Sequence, residues 1–264
     1  MANYLVTGAA GGMGRAICRA LTDAGDSVWG IDRAPFEEAP NLRALAADLT
    51  SEEELSRAIE AVAKEAGGLD GVIHAAGVYD LSSLVEMSEK DFLRDFNVNL
   101  FGAFRVNRLA LPLLREKGRI LIISSELAPL YPLPFTGGYA VTKGALEKYA
   151  EALRMEVQLL GYKVIVVRPG AVKTGMLPAS QAALDRFVSE TKLYDCSAAR
   201  FKRIVDRVES RAVTPEKPAS VVLRAMKCRR PRLTYKLNRN PALLLLDALP
   251  RRAQLAIIRA ILKK

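Results

Sequence analysis

Hydrophobic residues along the chain form short unbroken runs, and these alternate with segments in which apolar residues recur every three or four positions. The runs fit buried strands, and they lie at residues 3–7, 25–32, 42–46, 71–77, 119–123 and 163–167, the fourth ending in a small-residue turn. The other segments fit amphipathic helices, for example at residues 51–66, 88–116 and 139–160. Strands alternating with helices predict an α/β fold with a doubly wound parallel sheet and helices on both faces.

A glycine-rich turn joins the first predicted strand to the first predicted helix. Gly8-Ala-Ala-Gly-Gly-Met-Gly14 follows residues 3–7 and precedes a segment with Ile17 and Leu21 on its apolar side. In this context glycines let the backbone approach a pyrophosphate at the helix N-terminus. The pattern therefore predicts a Rossmann-type domain that binds a dinucleotide.

The second predicted strand ends at an acidic residue, Asp32. Asp32 lies 18 residues after Gly14, close to the roughly 20 expected for the acid that bonds an adenosine ribose. A carboxylate there favours NAD, whereas Arg33 beside it can accommodate the 2′-phosphate of NADP. We expect NAD to be preferred, with NADP as the alternative.

No repeat, low-complexity segment or linker marks a second domain. We expect residues 1–240 to form one Rossmann-fold catalytic domain, followed by a helical extension over residues 241–264. Ligands of such sheets bind beyond the carboxyl ends of the strands, where the glycine turn, Asp32, Asp48, residues 75–77 and Ser125 all fall.

The amino-acid composition excludes several kinds of metal site and catalytic site. The only histidine is His74, which leaves no multi-histidine metal site and at most one histidine-activated nucleophile. Cys18, Cys196 and Cys228 have no metal-like spacing and suggest a reducing, cytoplasmic compartment. The first strand is reached by Tyr4 and no run of about 18 apolar residues occurs, so we expect neither a signal peptide nor a transmembrane helix.

Positive charge is concentrated at the C-terminal end of the chain. The net charge is +10, yet residues 1–199 carry 21 Lys/Arg against 25 Asp/Glu, and residues 200–264 carry 18 against 4. In the extension, one helical face carries apolar residues, namely Leu255, Ile258, Ile261 and Leu262. A basic amphipathic helix can lie on an anionic membrane or cap its own domain or a partner subunit. No element that reads nucleic acid is recognisable.

One further pair completes the candidate chemistry. Tyr139 and Lys143 lie four residues apart on a predicted helix and are therefore neighbours on one face. An ammonium beside a phenol lowers the phenol's pKa from about 10, although a shift of roughly three units needs about 4 kcal/mol. That is a large demand on one cation, so we expect other positive groups to contribute.

Taken together, these motifs resemble the classical short-chain dehydrogenase/reductase family over nearly the whole chain. The resemblance rests on Thr7-Gly8-x-x-x-Gly12-x-Gly14, Asp32, Asp48-Leu49, Asn99-Leu-x-Gly, Ser125, Tyr139-x-x-x-Lys143 and Pro169-Gly170 followed by Thr174. It implies NAD(P)-dependent hydride transfer at a CH–OH carbon. The segments Ser-Ser-Glu-Leu, Arg-Pro-Gly-Ala-Val-Lys-Thr-Gly-Met and Pro231–Tyr235 look like the retinol and hydroxysteroid dehydrogenase branch.

The resemblance also implies roles for particular residues. Tyr139 would be the general acid/base, Lys143 would lower its pKa, Ser125 would bond the substrate oxygen and Asn99 would anchor a relay water. The positive charge of a bound nicotinamide would lower the pKa of Tyr139 further. The implied cofactor-binding residues are Gly8, Gly11, Gly12, Met13, Gly14, Asp32, Arg33, Asp48, Leu49, Ala75, Ala76, Gly77, Tyr139, Lys143, Pro169, Gly170, Val172 and Thr174.

Three departures from the family pattern leave alternatives open. Ser125 precedes Tyr139 by one residue more than is usual, which makes Ser124 the competing assignment. His74 stands where asparagine is usual, and we interpret it as structural rather than as a cofactor contact. Gly8, Gly11 and Gly14 also fit the extended, epimerase-like branch, although Gly12 and the short chain argue against it.

The substrate is predicted from the less regular C-terminal third. In this family residues 176–215 would form the substrate lid. The sequence does not decide between pocket lining and ordinary helix packing for the apolar candidates there, namely Met176, Leu177, Phe187, Leu193 and Tyr194. We expect a hydrophobic steroid-, retinoid- or lipid-like alcohol or ketone, and a homodimer or homotetramer. The competing hypothesis is a non-enzymatic Rossmann-type scaffold that acts mainly through its basic C-terminal tail.

Overall fold

The fold is described from a computed structural model covering residues 1–263. Seven parallel strands form one sheet in the order β3-β2-β1-β4-β5-β6-β7. The strands are β1 Asn3–Thr7, β2 Ser27–Asp32, β3 Leu42–Ala46, β4 Leu69–His74, β5 Leu114–Ile123, β6 Lys163–Pro169 and β7 Thr234–Leu237. The order reverses between β1 and β4, where doubly wound sheets bind their ligands.

Helices cover both faces of the sheet and continue beyond it. They are α1 Gly12–Asp23, α2 Glu52–Ala66, α3 Glu89–Phe96, α4 Gly102–Ala110, α5 Gly137–Val157, α6 Met176–Glu190, α7 Asp195–Glu209, α8 Glu216–Lys227, α9 Pro241–Asp247 and α10 Arg251–Lys263. A π-helical turn, Asn97–Phe101, joins α3 to α4, and short 3-10 turns lie at Leu111–Leu113 and Gln158–Leu160. This architecture confirms the predicted fold class.

Two hydrophobic cores lie on the two faces of the sheet. One packs α2, α4 and α5 against the strands, with Leu55, Val106 and Leu146 buried. The other packs α1 and α8, with Ile17 and Val222 buried. A parallel sheet buried on both faces needs apolar residues at successive positions, which explains the unbroken runs in the sequence.

A third cluster lies outside the sheet. It joins α6, α7 and α10 around Phe135, whose ring centroid lies 4.9 Å from that of Phe187 and 5.3 Å from that of Phe201. Leu262 of α10 is buried in the same cluster. The C-terminal extension therefore packs on its own domain, through α7.

Several strand boundaries differ from the predicted ones by two or three residues, and two parts of the sheet differ by more. Residues 88–116 are not helical throughout, because β5 already begins at Leu114, which pairs with Leu69 across a register irregularity. Residues 115–117 are polar, and in the sequence this polarity resembles the exposed surface of a helix. In the structure they belong to the strand, and Lys117 has a φ of 63°. Strand β7 was not predicted, because Thr-Tyr-Lys-Leu is short and carries a lysine; it pairs with β6 at the sheet edge.

Within residues 1–263, no helix is both long enough and apolar enough to cross a bilayer.

Candidate active site

The glycine turn between β1 and α1 is packed so closely that side chains are excluded. Gly8 has a φ of +71°, and a Cβ there would lie 2.6 Å from the backbone of Ala76. A Cβ on Gly14 would collide with the Gly8 carbonyl oxygen. Gly11 is the N-cap of α1 and uses no side chain to cap it, which leaves the first N–H groups of the helix free for an anion.

Asp32 ends β2 beside this turn. One carboxylate oxygen accepts a hydrogen bond from the N–H of Ala10 at 3.0 Å, and the other accepts from the N–H of Ala34 at 2.9 Å. The carboxylate is thereby fixed against the glycine turn. The neighbouring Arg33 is exposed at the rim.

The ends of β3 and β6 complete this side of the site. The Asp48 carboxylate accepts from both the N–H and the hydroxyl of Thr50, each at 2.8 Å. Thr174 approaches from beyond β6, so that a Cβ on Gly12 would lie 2.8 Å from the Cβ of Thr174. Glycine at position 12 is therefore required by the close approach of two distant segments.

These strand ends surround one large cavity of about 990 Å³. Every predicted cofactor-binding residue lines it, from Gly8 to Thr174 and including Arg33, Met13, Leu49 and Val172. We call this wall, made of the glycine turn, the ends of β2 to β4 and residues 169–174, the cofactor half. The structure thus brings together residues separated by more than 160 positions in the sequence.

Tyr139 and Lys143 lie on the first turns of α5 at the inner wall of the cavity. The Lys143 ammonium lies 5.9 Å from the centre of the Tyr139 ring and donates a hydrogen bond to the carbonyl of Ile123 at 3.2 Å. Both side chains are buried. The predicted pair is therefore anchored to the end of β5.

Burial dominates the pKa of both groups. It raises the pKa of Tyr139 to about 12, although a hydrogen bond with Ser125 lowers it, and the charge of Glu126 raises it further. Burial lowers the pKa of Lys143 to about 8, which the charge of Glu147 partly offsets. Lys143 alone therefore does not lower the Tyr139 pKa to neutrality, in line with the expectation that a single cation is insufficient.

The two candidate serines have different surroundings. The Ser124 hydroxyl donates to the Glu147 carboxylate at 2.6 Å, and Glu147 forms a buried ion pair with Arg168. The Ser125 hydroxyl interacts with Tyr139 and accepts from the N–H of Leu127 at 3.2 Å, and both serines line the cavity. Ser124 is therefore engaged in structure, whereas Ser125 is available at the inner wall.

Asn99 lies in the π-helical turn and does not line the cavity. Its side-chain oxygen accepts from the N–H of Val78 at 2.8 Å, and its amide donates to the Val78 carbonyl at 3.1 Å and to Thr142 at 3.0 Å. The amide therefore fixes the loop after β4. A Cβ on Gly77 would approach both the Asn99 oxygen and the Lys143 ammonium, so the two side chains flank the same point.

His74 ends β4 beneath the cavity and does not line it. Its Nε2 lies 2.8 Å from the side-chain oxygen of Asn107, whereas its buried Nδ1 has no partner within residues 1–263. Burial lowers the pKa of His74 to about 4, which keeps the ring neutral at physiological pH. These contacts favour the structural interpretation of His74.

The opposite wall comes largely from the C-terminal third and is mostly apolar, although charged residues such as Arg207, Glu209 and Arg239 also line it. Met176 and Leu177 line it as predicted, together with residues of α7, α9 and α10, namely Phe201, Ile204, Val205, Val208, Leu243, Leu246, Ile257, Ile258, Ile261 and Leu262. We call this wall the substrate half. The C-terminal helices therefore form part of the cavity.

Three residues predicted as pocket lining lie elsewhere. Phe187 faces Phe135 in the third core cluster, and Tyr194 packs edge-on against the same ring with centroids 5.1 Å apart. Leu193 is exposed. The sequence pattern did not distinguish lining from helix packing here, because both require the same apolar residues.

Two residues of the inner wall were missed by the sequence analysis. The Tyr79 ring meets that of Tyr139 edge-on, with centroids 4.6 Å apart, and burial raises the pKa of Tyr79. Glu126, directly after Ser125, is buried and lines the cavity. For Glu126, the only signal in the sequence was a charged residue that follows an apolar strand and two serines.

Comparison with known proteins gives a consistent result. The family model for short chain dehydrogenases matches residues 2–185. A 3-ketodihydrosphingosine reductase of Bacteroides thetaiotaomicron is 28% identical over 89% of this chain and 87% of its own. The human 17-beta-hydroxysteroid dehydrogenase type 6 is 31% identical over 67% of this chain and 59% of its own.

A solved structure agrees in fold over most of the chain. The 3-ketoacyl-(acyl-carrier-protein) reductase from Brucella melitensis, crystallised with NADH, superposes with a TM-score of 0.72. The match covers 89% of this chain and 96% of that one at 20% identity, which supports the shared fold alone.

Proposed function

The chain belongs to the short-chain dehydrogenase family of NAD(P)-dependent oxidoreductases acting on CH–OH groups, and on that premise we propose that Tyr139 is its general acid/base. The observation that carries this proposal is the cluster of Ser125, Tyr139 and Lys143 on the inner wall of the cavity. The cluster lies between a wall of glycines and an apolar wall, so a cofactor and a substrate could meet beside it.

The cofactor half fits a dinucleotide because its glycines keep open the space that a Cβ would fill. The glycine turn would hold the pyrophosphate, Asp32 the adenosine ribose, and Lys143 and Thr174 the nicotinamide end. A bound nicotinamide would supply or accept the hydride. We propose NAD as the preferred cofactor from Asp32, and Arg33 keeps NADP as the alternative.

The inner wall would handle the proton. With a pKa near 12, Tyr139 is a neutral phenol at pH 7 and can donate a proton to a ketone oxygen. The Ser125 hydroxyl would bond the same oxygen, and Lys143, with a pKa near 8, would remain mostly protonated beside it. Asn99 would anchor a relay water, a role supported by its position beside Lys143.

Replacing Tyr139 with phenylalanine tests this proposal. We expect kcat to fall by roughly 100- to 10,000-fold, because general acid/base catalysis contributes about that much. NADH binding, followed by fluorescence titration, should stay within about twofold of wild type. Undiminished turnover of any ketone by the Tyr139→Phe variant would exclude Tyr139 as the acid/base.

We propose a hydrophobic secondary alcohol or ketone as substrate, of steroid, retinoid or lipid type. The apolar residues of the substrate half support this class. The names of the relatives, a 3-ketodihydrosphingosine reductase and a hydroxysteroid dehydrogenase, point in the same direction. A panel of ketones assayed with NADH and NADPH in parallel tests the substrate class and the cofactor preference together.

We further propose that the outer surface of the tail contacts an anionic membrane. Leu245, Leu249 and Leu255 are exposed, and the exposed Arg252 and Arg259 lie one helical turn to either side of Leu255. Apolar and basic groups on one exposed surface are what an interfacial helix requires. Unlike the competing scaffold hypothesis, this contact would serve the enzyme, since the same helices line its cavity.

A vesicle assay separates the two uses of the tail. In the variant Leu255→Ser/Arg252→Glu/Arg259→Glu, pelleting with vesicles of phosphatidylcholine and phosphatidylglycerol should fall at least tenfold, while turnover of a short soluble ketone should be unchanged. Wild type should co-sediment only weakly with vesicles of phosphatidylcholine alone. Equal pelleting of the variant with anionic vesicles would refute the membrane contact.

Self-association as a homodimer or homotetramer stays a proposal. It is supported by exposed apolar side chains on α3 to α5 and the intervening turn, including Leu93, Phe101 and Phe104. Light scattering of the purified chain measures the subunit number directly. We also propose a cytoplasmic location, which is supported by three cysteines without disulfide or metal-like spacing.

A further inference from the structure

Glu126 occupies an unusual position for a carboxylate, directly after Ser125 on the inner wall. The residue is only 7% exposed and lines the cavity. Its own N–H donates to the carbonyl of Pro169 at 2.9 Å, and one carboxylate oxygen accepts from the N–H of Asn240 at 2.7 Å. Backbone contacts thus hold Glu126 between the end of β6 and the start of α9.

The second carboxylate oxygen of Glu126 has no hydrogen-bond donor within residues 1–263. It lies against Gly170, where a Cβ would come within 2.9 Å of it. The glycine therefore leaves room for this oxygen on the cavity wall. This oxygen is not sealed from solvent, so it can accept a hydrogen bond from a donor that enters the cavity.

The negative charge of Glu126 shifts the pKa of two tyrosines on the inner wall, one of which is the proposed acid/base. It raises the pKa of both Tyr139 and Tyr79, and burial raises the pKa of Glu126 itself, although the nearby Arg239 lowers it. A carboxylate beside the acid/base thus opposes formation of the phenolate. A positive group brought in by the ligand would remove that opposition.

A second carboxylate strengthens the negative character of this region. Glu209 at the end of α7 lines the same cavity and also raises the pKa of Tyr79. One of its oxygens accepts from the Gln181 amide at 2.7 Å, whereas the other is buried and has no partner within residues 1–263. Three arginines of the C-terminal third also line the cavity. Arg207 and Arg211 are exposed, so solvent screens their charge, whereas Arg239 is half-buried and lowers the pKa of Glu126 without forming an ion pair with it within 4 Å.

We propose that Glu126 recognises a cationic amino group close to the reacting carbon, so that the preferred substrates are amphiphilic amino alcohols or amino ketones. This inference rests on the proposed function, because it takes the substrate oxygen to lie at Ser125 and Tyr139. The ammonium donates to the free oxygen of Glu126, while the alkyl part lies along the apolar substrate half.

The physical advantage is twofold. An ammonium forms a charge-assisted hydrogen bond with a carboxylate that is otherwise incompletely satisfied, and such bonds are about twice as strong as neutral ones. It also offsets the negative charge that raises the Tyr139 pKa. An anionic substituent at the same place would be repelled by Glu126.

The test uses a long-chain vicinal amino alcohol and the same alcohol without the amino group. Binding of each is measured by calorimetry, with and without NADH, to wild type and to Glu126→Gln. The glutamine can still accept from Asn240 through its amide oxygen, so the start of α9 should stay in place. Glu60→Gln, at an exposed position on α2, is the matched control.

Wild type and the Glu60→Gln control should bind the amino alcohol roughly 10- to 100-fold more tightly than the plain alcohol. Glu126→Gln should lose that preference while binding the plain alcohol normally. Equal binding of the two alcohols by wild type, or an undiminished preference in Glu126→Gln, would overturn the inference.

Turnover of the same two alcohols with NAD distinguishes this inference from the proposed function. Oxidation of both alcohols at similar kcat/KM would leave Tyr139 as acid/base intact and refute recognition by Glu126. Conversely, a binding preference for the amino alcohol that disappears in Glu126→Gln, without oxidation of either alcohol, would support Glu126 and count against catalysis.

Discussion

The two halves of the cavity are built in different ways. In the cofactor half, backbone meets backbone at the ends of parallel strands, and glycines such as Gly8 and Gly14 leave no room for side chains. In the substrate half, exchangeable apolar side chains of α7, α9 and α10 form the wall. At its glycines the first wall has no room for a larger residue, whereas the second wall can change its ligand by changing side chains.

The strongest test of this difference is a single added side chain in the cofactor half. Gly14→Val should weaken NADH binding by roughly 1,000-fold, because its Cβ would collide with the Gly8 carbonyl and displace the N–H groups aimed at the pyrophosphate. Gly175→Ala is the matched control, since nothing lies within 4 Å of the added Cβ. Fluorescence titration that gave similar affinities for both variants would contradict the account.

The buried floor of the cofactor half also makes it sensitive to acid. The pKa of His74 falls from 6.5 to about 4 in the folded protein, so the unfolded chain binds more protons between these values. The contribution of His74 to the free energy of unfolding is fully present above pH 6.5. It is lost as the pH falls towards 4, which lowers the free energy of unfolding by up to about 3 kcal/mol.

Urea unfolding of wild type and His74→Asn from pH 4 to 7 isolates that contribution. The difference in unfolding free energy between the two proteins should shrink as the pH falls. The comparison with the variant is needed because the pKa of Asp95 is raised to about 6 by burial, which gives the opposite sign of pH dependence. A pH-independent difference would exclude His74 as the source.

Replacing each of the two adjacent serines in turn separates a catalytic role from a structural role at the inner wall. Ser125→Ala should lower kcat by roughly 100-fold without loss of NADH binding, because it removes a hydrogen bond to the reacting oxygen. Ser124→Ala should instead lower the unfolding free energy by about 1 kcal/mol, through lost bonding to Glu147. The reverse pattern in kinetics and unfolding would assign the catalytic role to Ser124.

The smallest expected effect lies in the substrate half. Ile258→Asp should raise KM for long-chain ketones by roughly tenfold, because a charge in an apolar wall is costly. NADH affinity should not change. Leu255→Asp on the exposed side of α10, where the leucine is 53% exposed, should leave KM for a soluble ketone unaltered. A loss of NADH binding in Ile258→Asp would mean that the two halves are not independent.

The same contrast explains which sequence predictions succeeded. The family and the doubly wound sheet are confirmed, since both depend on strand–turn–helix patterns that lie within short stretches of chain. Strand β7 escaped prediction because an edge strand of four residues needs no apolar run. The sequence left Phe187 and Tyr194 open between pocket lining and helix packing, because their packing partner, Phe135, is more than 50 residues away in the sequence.

The sequence by itself indicated the order of the chemical motifs along the chain: the glycine turn, Asp32, the serine pair 124–125 and the Tyr139–Lys143 pair. Each of these is specified by local spacing or by the end of a buried strand. Tertiary structure alone decided which serine faces Tyr139, that the basic tail lines the cavity, and that Glu126 has an oxygen free there. Those facts depend on contacts between distant segments, and local periodicity carries no information about which segments meet.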